Sequence, residues 1–461
     1  MYQHLGKTFI LISFLLTLLL PFGSIMAQEA QAEKKKNKLI FGSEMRLRYE
    51  FQNNFNQKFY GDGPGQGSSN DGFLLGRFRA GLDWYPTDKI HIAVWGQDSE
   101  AWDMDMPNSS FYKKNFLCDH NPNKDRWELY TTYIELKDLF DKSLNLKAGR
   151  QLIFYGNNRV FGPGQWGNTG RWIWDAIKIS WRFDRGFIDM FYGQTMLHEV
   201  NRFSIKHRHG FASIGAYTHV DLMRKPFFVA IEPMIFSKYD KHHNYTGEKT
   251  GEGDLDSWYA GARLYGSNIS GFDFDCTFLQ EQGDFSNDDL RAYGYHLMVG
   301  YKLKTAWRPK LSLEYTYASG DSNPNDNDHE TFQGAFGARD KMYGRMNLFH
   351  WRNLRDIEAG LSIKPLKGLN VKVSFHKFLL AERKDGWYLN SKTYRDKTGR
   401  SGNEVGRELD IVAKYKLSKS NVFMAGFGHF WPDEFAKKTA SNKQANWIFL
   451  QWEYKFKHTF F

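Results

Sequence analysis

The sequence predicts an all-β chain: a transmembrane, antiparallel up-and-down β-barrel of about 18 strands, with short periplasmic turns and long extracellular loops. Three observations predict it. The last strand, Asn446 to Phe461, alternates apolar and polar side chains and ends on an aromatic residue. The connections between strand-like segments alternate between short and long. The composition is polar for a membrane protein, at 41% hydrophobic residues and a mean hydropathy of −0.60, yet 17% of residues are aromatic. Beyond residue 27 the chain has no run of the roughly 20 apolar residues that a spanning helix needs. A barrel resolves the contradiction, because half of each strand faces a wet lumen and girdles of aromatics sit at the two interfaces.

Taken from the start, residues 1–27 read as a signal peptide. Lys7 precedes the apolar stretch Phe9 to Leu20, Pro21 and Gly23 interrupt its end, and Ala27 offers a small residue for cleavage. Residues 28–38 are charged and free of aromatics, which predicts a disordered periplasmic leader. The barrel is assigned to residues 39–461. Two cysteines, Cys118 and Cys276, supply no disulfide framework.

Period-two alternation marks the strands. The clearest are Leu39 to Phe51, Gly72 to Trp84, Lys89 to Asp98, Trp127 to Leu136, Ile173 to Phe183, Gly186 to Thr195, Trp258 to Tyr265, Tyr293 to Leu303, Leu311 to Tyr317, Leu369 to Phe378, Leu409 to Leu417 and Val422 to Phe430. Short turns are expected at Tyr85 to Asp88, Lys364 to Gly368 and Ser418 to Asn421. Long loops are expected at Asn53 to Asp71, Ser99 to Arg126, Lys238 to Asp256, Gly320 to Ala338 and Ala381 to Glu404. No repeat of fixed period suggests a propeller.

Alternation also assigns the faces. In the first strand Met45, Leu47, Tyr49 and Phe51 face lipid, which leaves Glu44, Arg46, Arg48 and Glu50 inward. In the second, Phe78, Leu82 and Trp84 face out, with Arg77, Arg79 and Asp83 inward. A charge on the lipid side costs roughly 2–4 kcal/mol near the midplane, so the wet lumen takes it. Asp273, Asp275, Arg263, Arg352, Asp356, Glu358, Lys372 and Lys414 are further inward candidates. In the last strand Ile448, Leu450, Trp452, Tyr454, Phe456 and Phe460 share the lipid face. Phe461 falls out of that register and reads as a signal to the barrel-assembly machinery. The strand should pair with Leu39 to Phe51 and close the barrel.

The segment Ala148 to Asp175 holds three Arg, six Gly and three Trp, more than a strand and loop require. Gly149, Arg150, Gln151, Tyr155, Gly156, Arg159, Gly162, Pro163, Trp166, Asn168, Thr169, Gly170, Arg171 and Asp175 together resemble the signature of the alginate export family of outer-membrane channels. Trp174 stands where that signature has Phe. The resemblance implies an outer-membrane channel that passes uronate polymers outward, and it carries Gln151, Trp166, Asn168 and Asp175 into the substrate pathway. Independently of it, glycines let a loop fold against the wall, and guanidinium groups bind carboxylates two donors at a time. Strict alternation from Leu144 would place Arg150 toward lipid, so either a bulge at Gly149 turns it inward or the register differs there. Trp166, Trp172 and Trp174 either stack on sugar rings or belong to the interfacial girdle. Asn168 and Thr169 either serve the pathway or close a turn.

The positive path is therefore expected along Arg77, Arg79, Lys147, Arg150, Arg159 and Arg171, with Arg46 and Arg48 behind them. The net charge of +10 agrees, although Lys34 to Lys36 contribute to it without lining a pore. The expected partners are an anionic polysaccharide or small anionic solute and outer-membrane lipid, with no nucleic acid, in the bacterial outer membrane. No cofactor, metal or catalytic residue is assigned. His207 with His209, the adjacent His242 and His243, and the loop carboxylates Asp321, Asp326, Asp328 and Glu330 match no metal motif, and the chain has no serine-hydrolase elbow, zincin helix or phosphate loop. A general porin with mixed charge in two opposing ladders is the first alternative; a barrel enzyme assembled from separate strands is the second.

Overall fold

In hydrocarbon a strand finds no water for its N–H and C=O groups, so every edge must be paired and the sheet must close on itself. The structure, a computed structural model, describes residues 37–461 apart from 62–66, 165, 201, 204–207, 249–250 and 390–391. The signal peptide, residues 28–36 of the leader, and His207 lie outside the described residues.

Eighteen strands form one antiparallel sheet. In chain order β1 to β6 are Lys38–Asn53, Asn70–Thr87, Ile90–Trp102, Asp125–Asp138, Leu144–Leu152 and Ile173–Phe183. Strands β7 to β12 are Gly186–Met196, His209–Met223, Phe228–Thr246, Glu252–Ile269, Phe272–Phe285 and Asp288–Lys302. Strands β13 to β18 are Lys310–Ala318, Leu354–Ile363, Leu369–Leu379, Glu404–Lys416, Asn421–Pro432 and Ala445–Thr459. Each pairs with its neighbours in sequence, and β18 returns to β1 in a ladder from Ile40↔Thr459 to Asn53↔Asn446. The terminal strand thus closes the barrel as its alternation predicted.

The faces follow the pleat. Phe78, Leu450, Phe456 and Phe460 are exposed on the outer wall, whereas Arg46, Arg48, Arg77 and Glu50 are buried on the inner one. Asp273, Asp275, Arg263, Asp356 and Glu358 are buried inside as well. Both cysteines are free thiols.

Two expectations about loops are corrected. Lys238 to Asp256 is not a long loop, because β9 and β10 continue through it with Lys238↔Ser257, Tyr239↔Asp256 and Asp240↔Leu255 paired. The segment is polar, but its two strands stay paired across a register shift between Asp240 and Tyr245, so it projects as a hairpin instead of unravelling. The loop expected over Gly320 to Ala338 runs on to Asn353, where β14 begins at Leu354. It and the connection between β5 and β6 fold inward, and their apolar residues make the largest buried cluster of the molecule: Phe161, Trp172, Phe336, Tyr343, Phe349 and Trp351 pack there with the wall's Trp174, Phe236 and Phe430. The core of this barrel is therefore inside its lumen.

Leu450, near the middle of β18 on the outer face, sets the expected penalty for breaking the pattern. Leu450→Arg should destabilise the folded barrel by about 2–4 kcal/mol, measured as a shift in the guanidinium folding titration in lipid vesicles.

Candidate functional site

Inward-folded loops need polar anchors on the wall, and alternation supplies them as charged rows. The rows on β1 and β2 set Arg46, Arg48, Arg77 and Arg79 among Glu44, Glu50 and Asp83. Arg77 holds Glu44 at 2.6 Å, and Arg79 bonds Gln97 at 2.6 Å while its guanidinium lies 3.7 Å from the ring centre of Tyr130. Lys147, on β5, sits 3.5 Å over the ring of Tyr133. From β9 to β16 the wall is rich in buried carboxylates, each answered by a partner. Arg263 joins Glu232 and Asp275, both at 2.7 Å, Lys372 holds Glu358 at 2.8 Å, and His376 meets Asp356 at 3.0 Å. Paired and hydrogen-bonded, such charges can stay buried; removal of one partner would strand the other.

The loop between β5 and β6 is pinned to β1, β2 and β3. Asn168 is wholly buried: its Oδ1 accepts from Arg46 at 3.1 Å, and its Nδ2 faces the carbonyls of Gly76, Glu100 and Asn123, each at 2.9 Å. Thr169 offers its carbonyl to Gln97 at 2.7 Å and its backbone N–H to the carbonyl of Pro122. Arg48 donates to the Trp166 carbonyl at 2.7 Å and stacks over the Trp166 ring at 3.8 Å. Trp166 in turn packs edge-on against Trp447 and Phe449.

The loop between β13 and β14 is pinned to the acidic side. Gln333 donates its backbone N–H to Glu281 at 2.7 Å, Arg345 to Asp410 at 3.0 Å and Met346 to Glu408 at 3.0 Å. The two loops then bind each other. Phe161 and Phe336 form a short parallel bridge, and Trp172 Nε1 donates to the Gly337 carbonyl at 3.1 Å. Together they lay a floor across the lumen.

Above that floor lies a cavity of about 630 Å³. Among the described residues that line it, seven side chains are cationic, Arg48, Lys58, Lys113, Arg171, Arg339, Arg345 and Arg352, against the carboxylates Glu50, Asp240 and Asp340. Arg171 is exposed within it and makes no ion pair among the described residues; its closest ring, Trp172, lies 4.4 Å away. The surrounding protein draws the Arg171 pKa down to about 10, which leaves it charged at neutral pH. His120, also in the lining, is pushed down to about 4 by burial and is neutral there.

The sequence-derived residues divide into groups. Arg46, Arg48, Arg77, Arg79, Lys147 and Gln151 face inward on the wall, and Arg171 lines the cavity. Arg159 reaches the far wall, 3.3 Å from His296 and 4.0 Å from Glu314. Arg150 does not join the lumen path. The register runs unbroken through Gly149, with Ala148↔Ile177, Gly149↔Ala176 and Arg150↔Asp175, so Arg150 and Asp175 stand on the outer face near the extracellular end. The side chain avoids lipid by bonding instead, with Nε to Asp175 at 2.7 Å and Nη1 to Glu128 at 2.8 Å. Trp174 is buried in the lumen core, and Trp172 packs in that core while also lining the cavity. Asn168 and Thr169 do more than close a turn, since they fasten a loop to three strands. Sequence reasoning missed Arg339 and Arg345, although residues 332–352 mix Gly, aromatics and Arg much as the signature segment does.

The alginate export family profile matches residues 37–449. The chain belongs to the alginate export family. It is a β-barrel of the bacterial outer membrane, as the family and the closed 18-strand sheet together require. Among solved structures it is similar to Acinetobacter baumannii OccAB1, with 9% identity over 91% of this chain and 96% of that one at a TM-score of 0.58. Pseudomonas aeruginosa OccD3 (OpdP) follows at 11% identity, 92% of each chain and 0.56, and Pseudomonas aeruginosa OpdK, solved with vanillate, at 9%, 91% and 99%, and 0.55. These likenesses are of fold. No curated protein sequence matches the chain.

Asn168→Ala should release the pinned loop of this alginate export family member. The buried carbonyls it serves lose their donor, at about 1–3 kcal/mol. Limited proteolysis should then cut within residues 153–172 several-fold faster, with the barrel itself intact.

Proposed function

We propose that this outer-membrane channel admits anionic sugars, sugar acids or short uronates, through the basic cavity above the loop floor. The single observation that carries the reading is the excess of cationic side chains around that cavity, with Arg171 exposed and unpaired among the described residues. A cavity with an excess of one sign concentrates counter-ions, and guanidinium forks match carboxylates. Its size, about 630 Å³, lies within the range of small-solute pockets. The same chemistry fits the vanillate carboxylate named for OpdK.

The family match favours a second reading, passage of an anionic polysaccharide such as alginate. The floor separates the two. A polymer needs the loops of residues 153–172 and 319–353 to leave the lumen together, whereas a sugar acid reaches the cavity with the floor in place.

In planar bilayers, glucuronate should block chloride current through the wild type at lower concentration than glucose does. Arg171→Ala combined with Arg352→Ala should weaken that block by at least fivefold, about 1 kcal/mol. Arg150→Ala, altered on the outer face, should leave it unchanged. An equal block in wild type and double variant removes the cavity from the pathway, and block by long uronate chains alone favours the polymer.

A further inference from the structure

We propose that Asp125, Glu128 and His198 form a binding site for a divalent transition metal of the zinc class, seated where the barrel wall opens near its extracellular end. His198 also lines the cavity, but the metal site does not depend on what the cavity binds. Its three side chains are buried, at 0%, 1% and 4% exposure, and one ligand atom from each lies within 4.8 Å of the others. Ligands on opposite sides of a zinc ion stand at most about 4.4 Å apart, so a small adjustment brings these atoms onto one ion. Two carboxylate oxygens and an imidazole nitrogen form a donor set that favours zinc or manganese over calcium, which prefers oxygen alone.

The local backbone brings the donors together. Register shifts between β3 and β4 place Glu128 opposite Gln97 and Asp125 opposite Ser99, while Trp127 between them takes a φ of 54°. This irregularity turns two carboxylates three residues apart toward the same point. His198 arrives from the connection after β7, with Nδ1 at 2.6 Å from Asp125 Oδ2, and its carbonyl meets His120 Nδ1 at 3.0 Å. Arg150 engages Oε1 of Glu128 at 2.8 Å.

The position gives such an ion a task. Pairing between β4 and β5 ends at Thr132↔Arg150, and Asp125 and Glu128 lie above that last rung, where the two strands part. An ion bound there would staple the connection after β7 to β4 across the opening, in place of the direct contact between His198 and Asp125.

The test uses untagged, full-length protein in detergent, stripped with chelator and titrated with ZnCl2 by calorimetry, with CaCl2 as a second arm. The expected result is one zinc per chain, with affinity reduced at least tenfold in both His198→Ala and Glu128→Gln. Gel heat-modifiability confirms that each variant remains a barrel. Zinc should also raise the temperature at which the wild type loses its compact gel form, and should not do so in the variants. No saturable zinc binding, equal binding in the variants, or calcium bound more tightly than zinc overturns the proposal.

Discussion

A chain inside a bilayer has to satisfy every backbone polar group from its own sequence, and that constraint organises this molecule from end to end. Closure of β18 onto β1 removes the open edge. The pleat then forces each strand to choose one face for lipid and one for the lumen, and charge makes the choice. Arg46, Arg48 and Arg77 are inside because the alternative face is hydrocarbon. Arg150 shows the same pressure where the register offers no inward position: Asp175 and Glu128 neutralise it on the spot.

The inward charges then acquire a second role. They are less a free conducting surface than a set of anchors for two loops, mixed in sign on β1 to β3 and rich in carboxylates from β9 to β16. Arg46 and Gln97 grip the loop of Asn168 and Thr169, and Glu281, Glu408 and Asp410 grip the loop of Gln333, Arg345 and Met346. This mixed wall keeps the porin-like alternative in contact with the family reading. What is left for solute is the cavity above the floor, where the loops themselves bring Arg171, Arg339, Arg345 and Arg352. The cationic charges around the cavity are thus carried mainly by loop residues held in place by wall residues.

Most of the fold was legible because alternation is local. Ile173 to Phe183 was bounded correctly from sequence, and the pairing of the first and last strands followed from the closed sheet that the alternation demands. The lumen floor was not legible, because a loop that packs inward and one that points at solvent have the same short-range pattern. Trp174 illustrates the limit: it continues a strand and lies against Phe336, a contact between residues more than 150 positions apart. Within the signature segment Asn168 serves as a latch and Arg150 forms an outer-wall ion pair, while Trp166 and Arg171 line the cavity.

Positive charge is proposed to govern the open volume of this lumen, despite the carboxylates on the surrounding wall. The most direct test is the zero-current potential of single wild-type channels in a planar bilayer under a tenfold KCl gradient. Cationic control of the lumen displaces that potential toward the chloride equilibrium value. Displacement toward the potassium value would mean that the acidic wall, and not the loop arginines, controls passage, and would contradict it.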